Sequence, residues 1–335
     1  MPNNESSKKE APASPEEKKK SPNKTKKNSN KMVIWGVVIG VVVVIAGLLT
    51  FVSIRIYKYQ ADDSFTIAMA SWLPFPAAIV DGQWVNYYDV KSDADTLLHY
   101  LEYRAAQFPD NELYAVPAYD EIFNDALTQA IETAFIKKQI EKRNINIEQS
   151  EIDENVDLVK EEAALYGEDI NQTLMDVYNW TLAQFTEKAI VPQLRELKLA
   201  ESISQDETIE ANQEAKTTAQ TVYQEVTSGD KTFNEAAAEY SDDVATAQNG
   251  GDLGYATAVD YVEEFSQALV ALEVDEISEV VQTIFGWHII KLLEKIEEEG
   301  KPASYHAQHI LIATKDFGEW LTEEMEKISI RNYVQ

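Results

Sequence analysis

The longest uncharged apolar run in the chain is Val33–Ile54, 22 residues of VIWGVVIGVVVVIAGLLTFVSI. At about 1.5 Å per residue a helix of this length crosses a hydrocarbon core of ~30 Å. It exceeds the short apolar stretch of a cleaved signal peptide, which predicts an uncleaved transmembrane anchor. Residues 55–76 follow as an extended linker ending in Leu73-Pro74-Phe75-Pro76. Ile79–Val85 then predicts a short hairpin around Asp81-Gly82. Beyond it the apolar spacing turns helical as far as about residue 227. Phe123, Leu127, Ile131 and Phe135 recur every four residues, so they share one helix face. Ser150 and Asp153 suit a capping box, and Leu174–Leu199 predicts a long helix interrupted at Pro192.

From residue 233 the pattern changes. Phe233–Tyr240 is helical, Ser241-Asp242-Asp243 breaks it, and Asn249-Gly250-Gly251-Asp252-Leu253-Gly254 predicts a tight shaped turn. Val262–Leu272 predicts an amphipathic helix, Ile277–Gln282 a strand, Phe285-Gly286 a turn and Trp287–Leu293 a second strand.

Charge is unevenly spread over these segments. Residues 1–32 are a basic tail with no aromatic residue before the apolar run, expected to be disordered. Of the 29 basic residues 11 lie in residues 1–58, against 4 of the 58 acidic ones, which leaves residues 59–335 at −36. The basic side of the span belongs in the cytoplasm, so everything after it is extracytoplasmic. The acidic remainder repels nucleic acid and anionic lipid headgroups; it serves solubility alone or, on a sharper reading, suits basic, unfolded clients. Gly36 and Gly40 form a GxxxG pair that offers a possible homodimer contact. The chain has no cysteine, which excludes disulfides, thiol catalysis and thiolate metal sites. No phosphate loop, dinucleotide fingerprint or HExxH motif occurs, and no cofactor is implied.

The ordered set YSDD (240–243), NGGDLG (249–254), EEF (263–265), AL (271–272), EISEVVQT (276–283) and FGWHIIKL (285–292) resembles the parvulin (PpiC, rotamase) family of peptidyl-prolyl isomerases. Residues 77–205, through VDGQWVN (80–86) and the helices that follow, are similar to the helical chaperone domains joined to parvulins in SurA- and PrsA-type foldases. The resemblance implies an α+β protein. One transmembrane helix (33–54) is followed by a mostly helical chaperone domain (77–205) and a parvulin-like domain (206–335), a small antiparallel sheet surrounded by helices.

One piece is displaced. Parvulin domains open with a strand bearing a His-Ile-Leu motif, but Glu201–Glu210 contains none, whereas Tyr305–Thr314 carries His309-Ile310-Leu311 after the last strand. The expectation is a circular permutation. Strand 305–314 would pair with the preceding strand, and the chaperone module's long helix would run straight into the domain's first helix, Asn212–Thr227. A truncated second repeat, or a strand swapped into a neighbouring molecule, would give the strand the same role.

Carried over residue by residue, the resemblance implies catalytic roles for Asp243, His288 and His309. It implies substrate-binding roles for Leu253, Tyr261, Phe265 and Phe285, and no metal. The implied activity is peptidyl-prolyl isomerisation and chaperoning of unfolded, proline-containing polypeptide clients outside the cell membrane; the alternative is a binding-only holdase. Two histidines on adjacent strands can equally be a satisfied core pair, and Asp243 can simply cap its turn. The family's glycine- and methionine-bearing flexible stretch reads Thr257-Ala258-Val259-Asp260-Tyr261 here, which puts the pocket's shape in question.

Overall fold

The computed structural model describes residues 27–109 and 111–334. The expected tail lies largely outside the described residues, as do the surroundings of Gly36. The chain divides into two compact units at Met69/Ala70.

In the first unit, helix α1 (Lys27–Tyr59) begins before the apolar run and ends after it. Its Val37–Tyr59 stretch is long and apolar enough to cross a membrane, with a mean hydropathy of 2.9. Every residue from 37 to 47 is exposed, an arrangement that water penalises and lipid does not. The expected extended linker is largely helical instead. After a break at Gln60–Asp63 comes helix α2 (Ser64–Trp72), whose start Asp63 caps by accepting from the Thr66 amide. A short apolar segment soon ended by Pro74 and Pro76 carries too few turns for its period to be read.

The second unit is a mostly helical domain followed by a smaller strand-containing region. Strands β1 (Pro76–Val80) and β2 (Gln83–Asn86) form a hairpin. Asp81 (φ 46°) and Gly82 (φ 85°) both take the left-handed angles that a two-residue hairpin turn requires. Helices α3 (Tyr87–Gln107), α4 (Tyr119–Arg143), α5 (Gln149–Leu165), α6 (Ile170–Tyr178), α7 (Leu182–Phe185) and α8 (Val191–Ser204) follow. Their core holds Ile122 and Phe135 of α4 with Leu199 and Ile203 of α8, all essentially inaccessible. Two sequence expectations shift here. The α5 capping box is Glu148 with Glu151 rather than Ser150 with Asp153. The break expected at Pro192 is a π turn over Thr186–Ile190, and α8 starts with the proline in its first turn, where a missing N–H costs least.

Helix α8 does not run into the next helix. The chain breaks at Gln205–Ile209 and resumes as α9 (Glu210–Ser228), followed by α10 (Phe233–Tyr240), β3 (Asp252–Thr257), α11 (Glu263–Ala271), β4 (Val281–Thr283), β5 (Gly286–Ile296) and β6 (Ser304–Ala313). Of the strand expected over Ile277–Gln282 only the end is regular, with Ile277 making an isolated bridge to Lys291. The sheet order is β3-β6-β5-β4, with every neighbouring pair antiparallel. Alternation along β5 and β6 assigns the two faces. Ile289, Ile310 and Ile312 pack under α9 and α10 with Ala219, Val222 and Phe233. Ile290, Leu292, Tyr305 and Ala307 pack under α11 with Phe265 and Leu269.

The last elements, α12 (Phe317–Glu326) and β7 (Ile330–Asn332), leave the sheet. Strand β7 pairs antiparallel with β1, and the Trp320 ring sits 6.3 Å from Phe135 and under the Arg143 guanidinium. Within the expected parvulin-like domain of 206–335, α12 and β7 thus pack on the helical module's side, through contacts that no local pattern announces. Asn212 links the segments at this junction. Its amide donates to the Ile203 and Asp206 carbonyls at 2.7 and 3.1 Å, and its Oδ1 accepts from the Lys315 amide at 2.7 Å.

Gly251 fixes how closely β6 lies against the loop before β3. It sits at φ +78°, and a Cβ there would stand 2.0 Å from the His309 carbonyl oxygen. Gly254, at φ +67°, has open space around its missing Cβ. Gly251→Ala is expected to cost at least ~2 kcal/mol and Gly254→Ala only ~1 kcal/mol, the left-handed strain alone. Urea unfolding of both variants measures the difference.

Candidate active site

Both histidines project from the sheet face that α11 covers. His288 follows the alternation of Ile290 and Leu292 on β5, and His309 that of Tyr305 and Ala307 on β6. The register pairs His288 with Leu311 and Ile290 with His309, which sets the rings diagonally adjacent on one face. Their centroids are 5.4 Å apart and nearly parallel, and their Nδ1 atoms meet at 3.2 Å. Phe265 of α11 closes over them edge-on, at 5.3 Å from His288 and 5.9 Å from His309.

A chain of hydrogen bonds runs through the pair. The His309 Nε2 meets Asp243 Oδ2 at 2.8 Å, and the His288 Nε2 meets Thr283 Oγ1 at 2.9 Å. Asp243 also accepts from the Ala245 amide and the Thr246 hydroxyl. At the far end the Phe285 amide donates to Thr283 Oγ1 at 3.1 Å. Burial pulls the Asp243 carboxyl up, but the Thr246 and His309 hydrogen bonds outweigh it and hold the group below the usual carboxylate range. Burial, helped by the neighbouring His309, drops His288 from 6.5 to about 3, so this ring is neutral at physiological pH.

The ionised carboxylate fixes the direction of the outer bond, and the His309 state sets the inner ones. An ionised Asp243 can only accept, so His309 donates from Nε2. With His309 neutral, its Nδ1 is bare and accepts from His288 Nδ1–H. The His288 Nε2 is then bare in turn and accepts from the Thr283 hydroxyl, whose oxygen still has a lone pair for Phe285 N–H. Protonating His309 would reverse the inner part of this chain: His288 would have to accept on Nδ1 and donate from Nε2.

The remaining expected residues divide. Leu253 and Tyr261 pack on Phe265 in the α11 cluster, the Tyr261 ring at 4.7 Å from Phe265. Tyr261 thus covers Phe265, which is only 3% exposed. The Phe285 ring stands apart, exposed at the β4–β5 turn, and only its backbone joins the site. Thr246 and Thr283 complete the network and were missed from sequence; a threonine two residues before the Phe-Gly turn was the one available signal for Thr283. His306 belongs to a separate surface pair with Asp252 at 2.8 Å. Among the described residues no group of three or more His, Asp or Glu is arranged to hold a metal ion, the facing Nδ1 atoms being taken up by each other.

Residues 198–294 match the family model described as the PPIC-type PPIase (rotamase) domain. The chain carries a parvulin-type PPIase domain. The matched stretch holds Asp243, Thr283 and His288 but stops before β6, so the His309 strand comes from beyond it. The chain is similar to chaperone SurA of Methylobacillus flagellatus. That match is 44% identical over 96 residues, covering 27% of this chain and 22% of the relative. Chaperone SurA of Idiomarina loihiensis is 30% identical over 148 residues, 43% of this chain and 34% of that one. Foldase protein PrsA 1 of Bacillus cereus is 32% identical over 191 residues, 54% and 65% of the two chains. The chain spans less than two thirds of the length of each of these relatives.

Neutral burial of His288 makes stability pH-dependent. Its folded pKa lies below the unfolded value, so the unfolded chain takes the proton first and stability falls as pH drops from 6.5 towards 3. Between about pH 6.5 and 5, where most carboxylates stay ionised, the loss from this ring approaches ~1.4 kcal/mol per pH unit. Urea unfolding across that window checks it, and His288→Asn should lose this part of the slope.

Proposed function

We propose that the protein is an active peptidyl-prolyl cis-trans isomerase and folding chaperone, anchored by α1 with its N-terminus in the cytoplasm and its remaining domains outside. The hydrogen-bonded chain Asp243–His309–His288–Thr283 beneath Phe265 is the observation that carries the reading. Rotating an Xaa-Pro bond faces a barrier of ~18–20 kcal/mol but breaks no covalent bond, so no nucleophile is needed. A site gains rate by holding the twisted amide more tightly than either planar form. Leu253, Tyr261 and Phe265 supply the apolar side that grips the proline ring and strips water from the amide. Asp243 and the two rings hold a fixed set of dipoles beneath it, which costs no reorganisation as the bond turns.

In this reading the parvulin domain is circularly permuted, with β6 as its displaced first strand. The helical module, similar to parts of SurA and PrsA, binds unfolded exported chains and presents their prolines. The surplus of acidic residues after the span favours basic clients and keeps anionic chains away.

The closed position of Tyr261 favours a second reading, a holdase that binds clients without turning them over. The two separate in one assay, prolyl isomerisation of several Xaa-Pro peptides by the full chain in detergent. The isomerase reading expects acceleration, reduced roughly 10–100-fold by Asp243→Ala, since the His309 N–H then loses its acceptor at ~1–3 kcal/mol. It also expects a rise with Tyr261→Met, which replaces the rigid ring by a side chain that can move aside. No acceleration by the wild type or by Tyr261→Met, with the chain folded, leaves the holdase.

A further inference from the structure

Helix α2 carries no charged residue, in a chain whose residues 59–335 sum to −36. Its exposure is one-sided. Phe65 is 47% and Trp72 87% exposed, and Ala68 is exposed between them, whereas Thr66 and Ala70 are fully buried. At 3.6 residues per turn Phe65, Ala68 and Trp72 share one side and Thr66 and Ala70 the other. The outward side is uncharged, with Phe65, Ala68 and Trp72 beside exposed Ser64 and Ser71, and Thr66 is hidden.

The level at which α2 starts explains the inversion. The Phe65 ring lies 6.3 Å from Phe51, inside the apolar run of α1. Arg55, the first charge after that run, pairs with Asp63 and donates from Nε to Thr66 Oγ1 at 2.7 Å. The start of α2 is therefore fastened beside the last apolar turns of α1 rather than released into solvent. In a chain anchored through α1, that level is the boundary between acyl chains and headgroups, where aromatic side chains collect and a short apolar helix lies in the plane.

We infer that α2 is an interfacial helix, its Phe65–Ala68–Trp72 face seated in the outer leaflet of the membrane that α1 crosses. The inference rests on the reading of α1 as a span. An uncharged face suits this place, because the acidic remainder of the chain is repelled by anionic headgroups.

The chain has no cysteine, so single-cysteine variants take one environment-sensitive fluorophore each. The full chain is reconstituted in phosphatidylethanolamine–phosphatidylglycerol vesicles with Ala68→Cys, Val43→Cys within the span, or Leu165→Cys at the exposed end of α5. The Ala68 label should shift to the blue on reconstitution, escape aqueous iodide, and be quenched more by lipid spin-labelled near the headgroup than at the acyl end. The Val43 label should respond to the deep quencher and the Leu165 label to iodide. An Ala68 label quenched by iodide, while Val43 stays deep, overturns the inference and leaves the span intact. An Ala68 label shielded from both iodide and lipid means that a second copy or a bound client covers the face, which also overturns it. A Val43 label open to iodide removes the span, and the inference with it.

Discussion

The four-stranded sheet depends on its last strand, β6. Strand β6 lies between β3 and β5, and it supplies His309, the floor of the α11 core through Tyr305 and Ala307, and the α9–α10 core through Ile310 and Ile312. Without it β3 would have no partner and β5 an unpaired edge. The match to the PPIC-type domain ends at residue 294, ten residues before this strand begins. The site is thus built from two stretches: Asp243, Thr283 and His288 from the matched region, and His309 from beyond it.

The same strand joins the site to the helical module. The chain leaves β6 at Ala313, is held at Lys315 by Asn212, and runs on through α12 to β7, which pairs with β1 of the first hairpin. Gly251 sets the spacing on the opposite side, since its carbonyl accepts from the His309 amide and its missing Cβ admits the His309 carbonyl. His309 is therefore positioned by backbone on both sides before its ring makes any contact. Fixed backbone holds the two rings side by side, with their Nδ1 atoms in hydrogen-bond reach.

Much of this was legible in the sequence because it is local. The apolar run, the Asp81-Gly82 hairpin, the Gly250-Gly251 turn and the alternation along β5 each have a signature within a few residues. The order of parvulin-like motifs and the stray His-Ile-Leu-Ile at 309–312 pointed to Asp243, His288 and His309, which the fold brings into one hydrogen-bonded chain. What stayed hidden is non-local or generic. Helix α2 is too short to show a period, and Glu148 is an uncommon helix cap. Thr246 and Thr283 are ordinary threonines until the fold turns them towards a carboxylate and an imidazole. The return of α12 and β7 to the first hairpin rests on contacts across more than 180 residues of chain, such as Trp320 on Phe135.

The central claim is that a single ordered line of hydrogen bonds runs from Asp243 to the Phe285 amide, and the imidazole nitrogens report on it directly. Nitrogen-15 NMR of histidine-labelled protein at neutral pH should find His288 uncharged and a proton on His309 Nε2, facing Asp243. On acidification through neutral pH His288 should stay uncharged. Finding His309 Nε2 without a proton, or His288 charged near neutral pH, would contradict the account.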